Sequence, residues 1–133
     1  MAVLQYDPDL GMVFGYVQQF RSPELPEEVV KRIHCPPDPM PGYFKSAMLV
    51  CRETLETVGP FRHFRAGDFV DWYARAEDKG VRSALIPQIV AKRRLHTANT
   101  EARDPGARGD FARVLKTILD RRRNIVQGDQ DAN

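Results

Sequence analysis

At 133 residues and 15.2 kDa the chain has the length of one domain, and 42% hydrophobic with 29% charged residues is an ordinary globular composition. Collagen-like, mucin-like and wholly disordered chains are excluded. A net charge of +2 and a pI near 8.7 are too mild to mark a nucleic-acid binder, and no aromatics interleave with the basic runs.

The charge is uneven. Residues 1–60 are acid-rich, and residues 92–133 are base-rich through Lys92-Arg93-Arg94 and Arg121-Arg122-Arg123. Such runs can meet phosphates or an anionic membrane surface, or simply form a solvated face. Cys35 and Cys51 make neither a disulfide framework nor a CxxC site, so two free thiols in a reducing cytosol are expected. Residues 1–6 lack the basic start and apolar core of a leader, and no apolar run is long enough to span a membrane. A cytoplasmic chain, with peripheral membrane contact at most, is the expectation.

In chain order, Asp7-Pro8-Asp9 signals a turn. Residues 11–20, rich in Met, Val, Phe and Tyr, suit a strand buried on both faces. Residues 22–33 read as a short helix capped by Ser22, with Pro23 and Pro26 at its start. The proline-rich segment 35–42 is a loop, and an apolar run follows over 43–50. Residues 52–58 form a short helix stopped by Gly59-Pro60. Residues 67–79 form a stronger helix, capped by Asp68 and ended by Gly80. Residues 81–86 and 88–94 read as two strand-like segments around Pro87. Residues 95–108 are a polar loop. The i, i+3, i+4, i+7, i+8 spacing of Phe111, Val114, Leu115, Ile118 and Leu119 marks a helix over 109–125. One domain over 1–126 and a frayed polar tail over 127–133 are expected.

The order of these segments is specific. Val58-Gly59-Pro60-Phe61, Gly67-Asp68-Phe69-Val70-Asp71-Trp72, Gly80 and Arg94-Leu95-His96-Thr97-Ala98-Asn99 follow one another at characteristic intervals. This succession resembles the second, acceptor-side half of a family 2, GT-A-type glycosyltransferase. The resemblance implies an α/β fold, a partial GT-A domain with a short mixed sheet and flanking helices. Nucleotide-sugar transfer to an acceptor hydroxyl is the implied chemistry. The family's nucleotide-binding βαβ half and its D-x-D metal motif have no cognate here. Asp7-Pro8-Asp9 has the letters of D-x-D but precedes a strand rather than ending one.

Inverting transfer needs a carboxylate base and a divalent cation on the leaving diphosphate. At the family's base position stands Phe69, which cannot take a proton. Asp68 or Asp71 then serves from a shifted position. Otherwise Asp68 is only a helix cap, and Asp71 only the i,i+4 partner of Arg75. Trp72 and Tyr73 line an acceptor pocket or pack in the core. By resemblance His96 is placed for metal or diphosphate, and Arg93, Arg94 and Asn99 for the donor diphosphate. A strand lets only one of the two arginines face a site. Manganese or magnesium is expected only with a donor-binding partner. The chain by itself is then an incomplete transferase that awaits a partner carrying the N-terminal half. The alternative is a non-enzymatic module that pairs an orphan sheet edge with a second copy or another partner.

Overall fold

The computed structural model describes residues 2–64, 66–97 and 107–131. Its organising element is β1 (Leu10–Arg21), where bulky side chains are buried on both faces. Alternation sends Met12 and Phe14 to one face and Val13 and Val17 to the other. Two short strands, β2 (Met40–Pro41) and β3 (Met48–Val50), pair antiparallel with β1 at Tyr16–Val17 and Met12–Phe14. Along its whole length β1 also pairs in parallel with β4 (Arg82–Leu95). The first two therefore share one edge of β1, and β4 takes the other. The result is a mixed, four-stranded sheet in an α/β fold.

One correction concerns β4. The two segments expected around Pro87 are a single strand. Between the pairings Phe14–Leu85 and Tyr16–Ile89 the register slips, so Ile86, Pro87 and Gln88 form a bulge. Proline is tolerated there because no described residue pairs with the outer edge of β4.

Among the described residues the helices are α1 (Ala2–Tyr6), α2 (Glu27–Val30), α3 (Arg52–Val58), α4 (Asp68–Asp78) and α5 (Ala107–Asp131). A 3-10 turn, Lys45–Ala47, leads into β3. The helix expected over 22–33 shrinks to the one turn of α2. Ser22 does not cap it. Its N–H instead donates to Leu95 O at 3.0 Å and closes the β1–β4 ladder.

Helix α4 covers the sheet. Phe69, Trp72 and Ala76 pack on Met12, Phe14 and Val58 in the main core. Full burial of side chains such as Phe14 and Met12 is worth about 2–3 kcal/mol each. Ala74, on the opposite flank, meets Val114 and Ile118 of α5 and Phe64. Gly67 makes this contact possible. It precedes α4 with φ +82°, and a Cβ there would stand 3.2 Å from both Phe111 and Val114. Helix α5 also continues to Asp131, past the expected tail boundary at 126/127. Proline is absent from this stretch, and Gly128 alone costs a helix only about 1 kcal/mol. No described helix is long and apolar enough to cross a membrane.

Candidate functional site

Helix α4 carries the acidic residues singled out above. Asp68 is its first residue rather than its cap, because the left-handed Gly67 occupies the capping position. Asp68 Oδ1 accepts the Phe69 N–H at 2.8 Å, and Oδ2 forms an ion pair with Lys45. The Lys45 ammonium also lies 5.4 Å from the centroid of the Phe61 ring. Asp68 remains partly open to solvent.

Asp71 is fully buried. Its Oδ2 accepts from Arg75 Nε at 3.1 Å. Arg75 Nη1 then donates to Val58 O at 3.1 Å and Nη2 to Pro60 O at 2.7 Å. Trp72 Nε1 donates to the intervening Gly59 O at 3.0 Å. One face of α4 thus holds three successive carbonyls of the loop after α3. Among the described residues Asp71 Oδ1 accepts no hydrogen bond, and Arg62 Nη1 lies 3.9 Å from it. In this arrangement Asp71 orients Arg75 and has no path to a solvent-borne hydroxyl.

Trp72 is also fully buried and stacks on Phe61 at 5.0 Å between centroids, so it packs in the core and offers no face to an acceptor. Tyr73 is only half-buried. Its ring lies 5.8 Å from Phe14, 5.8 Å from Phe69 and 6.1 Å from Tyr43. Burial raises the Tyr73 phenol above its ordinary value, with the Ser83 side chain pulling the other way. Tyr43 is exposed and brings this aromatic cluster to the surface near Lys45.

The basic residues occupy another part of the sheet. Arg93 pairs in register with Gln19 and Arg94 with Phe20, so they point to opposite faces. Arg93 lines a cleft of about 350 Å³ with Val17, Phe44, Ser46, Ala91 and Lys92. The Arg94 guanidinium lies 5.7 Å from the Phe20 ring centroid. His96 is half-buried just past the end of β4. Asn99 lies outside the described residues. The strand from the Phe14–Leu85 pairing to Arg21–Leu95 is about 20 Å long at ~3.3 Å per residue. Phe14, which meets Phe69 of α4, and Leu95, next to His96, stand at the two ends of that stretch.

The two groups nevertheless face the same way. Phe69 touches Phe14, while Val81, just after α4, packs close to Gly11. Helix α4 therefore runs against β1, and its N-terminus points toward the carboxyl ends of β1 and β4. No spacing rule links Lys45 to Asp68, 23 residues away, so the sequence alone does not mark Lys45. The Asp71–Arg75 pair, by contrast, was legible from its i,i+4 interval.

Among the described residues no group of three or more His, Cys, Asp and Glu could hold a metal ion. Asp7 and Asp9 lie 3.6 and 3.9 Å from Arg82 instead. These residues do not fit a divalent cation. Cys35 Sγ sits near Gln19 O and Cys51 Sγ near Leu10 O, toward opposite ends of β1, so both thiols are free. No protein-family profile, curated protein or solved structure matches the chain.

Proposed function

We propose that the chain is the acceptor-side half of a GT-A-type glycosyltransferase, related to sugar transfer from a nucleotide-sugar donor and incomplete within these 133 residues. The observation that carries this reading is the parallel β1–β4 pair with α4 packed against it. It turns the N-terminus of α4 and the ends of both strands toward one side, where open α/β sheets bind their ligands. Asp68, partly exposed beside Lys45, is the carboxylate that can meet an acceptor hydroxyl. The buried Asp71 is a scaffold residue. Arg93, Arg94 and His96 flank the donor side, which an N-terminal-half partner completes together with its manganese or magnesium.

Sugar titration followed by ¹H–¹⁵N NMR tests the reading. Mono- and disaccharides are expected to perturb Tyr43, Lys45 and Asp68, with the effect weakened in Asp68→Asn. UDP with manganese is expected to bind the chain alone weakly or not at all. Silence of those three residues toward every sugar tried would sink the acceptor-side reading.

A second reading, a homodimerising or partner-binding module without catalysis, draws on the outer edge of β4. That edge is unpaired among the described residues, and Ile89 and Val90 are exposed along it. Pro87, the bulge and Lys92-Arg93-Arg94 shorten the stretch available for self-pairing. Light scattering decides: a dimer that Val90→Lys returns to monomer supports this reading, and a monomeric native chain refutes edge pairing.

A further inference from the structure

We propose that the cleft between α5 and the loop after α3 binds a phosphate group, independently of any glycosyl transfer. Its volume is about 500 Å³, and Arg62, Thr117, Arg121, Asn124 and Ile125 line it. The chemistry starts from Arg121. Its Nε donates to Asp78 Oδ2 at 2.7 Å, but Nη1 and Nη2 are buried without a hydrogen-bond partner. The four N–H donors of these two nitrogens are unmet, on a charged group, and point to a ligand acceptor.

Charge identifies that acceptor. Asp78 also takes Arg122 Nε at 3.3 Å, and Arg122 Nη2 lies 3.6 Å from Glu77. Arg62, half-exposed, leans on Asp71, whose charge is already engaged by Arg75. Among the described residues four guanidinium groups, Arg62, Arg75, Arg121 and Arg122, therefore meet three carboxylates, Asp71, Glu77 and Asp78. Water supplies acceptors but no countercharge. A phosphate supplies both, and its oxygens suit the paired Nη atoms of an arginine fork. Arg121 and Asn124 stand three residues apart, so one face of α5 presents a guanidinium and an amide to the same ligand, while the Thr117 hydroxyl on that face already donates to Arg113 O at 2.9 Å. Entry requires the lining side chains to shift, and Arg62 and Ile125 are half-exposed at the mouth.

The phosphate can belong to a soluble molecule or to a lipid headgroup, and two arms separate these. The folded chain is titrated with pyrophosphate at low ionic strength, with arginine Nε–H resonances read by NMR. In parallel it is sedimented with vesicles of phosphatidylcholine alone or with phosphatidylglycerol. Saturable shifts at Arg62 and Arg121 with pyrophosphate assign a soluble ligand. Sedimentation only with phosphatidylglycerol, lost in the variants, assigns a headgroup. Arg62→Gln is expected to weaken binding about tenfold, and Arg121→Lys to abolish it while keeping the charge beside Asp78. Should Arg121→Lys lower the melting temperature, Arg62→Gln carries the test, since its side chain lies outside the core. Binding in neither arm, or binding that both variants leave unchanged, overturns the proposal.

Discussion

Arg75 Nε donates to Asp71 Oδ2 at 3.1 Å across one turn of α4, and both side chains are withdrawn from water. The pair anchors the loop after α3, because the other two guanidinium nitrogens hold Val58 O and Pro60 O. Removing one partner strands a buried charge and loosens that loop. Asp71→Ala is expected to destabilise the fold by about 3 kcal/mol. Urea unfolding followed by Trp72, the only tryptophan, measures it directly. A loss below about 0.5 kcal/mol, the scale of an ordinary surface change, would show that Asp71 is no anchor.

Asp68 is the contrasting case. Its pair with Lys45 is partly exposed, and such pairs contribute about 1 kcal/mol or less. Asp68→Asn should therefore melt within a few degrees of the native chain while weakening sugar contacts. A large drop in melting temperature would make Asp68 structural and remove it from the site.

Gly42 lies where the loop before β3 crosses β1. A Cβ there would stand 2.6 Å from Gly15 O and 2.8 Å from the Ala47 Cβ. The Gly42 N–H also donates to that same Gly15 O at 2.9 Å. Neither atom is the end of a flexible side chain, so Gly42→Ala should cost about 1–3 kcal/mol through overpacking. Chemical denaturation checks it. A neutral result would mean that this loop stands farther from β1.

Tyr73 gives a pH dependence with a definite sign. Burial raises its phenol above the ordinary 10.0, so the folded state keeps the proton longer than the unfolded chain does. The contribution is fully present below pH 10.0 and is lost as the pH rises through the higher folded value. Phenolate absorbance of the native chain minus that of Tyr73→Phe should reveal one tyrosine titrating late. A difference curve centred at or below the ordinary value would contradict the buried setting of this ring.

Local rules read much of the chain from sequence. The strand at 11–20 was legible because it is an apolar, β-prone run, and α3 because Gly59-Pro60 ends it. Periodicity gave the core of α5, and an i,i+4 interval gave Asp71–Arg75. Wherever partners are distant in sequence, only the tertiary structure decided. The ladder with β1 fused the segments around Pro87 into one strand and drew Ser22 away from α2 toward Leu95.

The expected site divided for the same reason. Asp68, Asp71, Trp72 and Tyr73 share a helix, but burial assigns two of them to the core and leaves Asp68 and Tyr73 near the surface. Arg93, Arg94 and His96 are held farther along by the β1–β4 register. The basic run 121–123 looked like solvated charge, yet two of its residues pair with α4 across more than 40 positions of sequence. Spacing determines which residues lie on one face of an element. Packing alone determines what that face meets and how much water remains there.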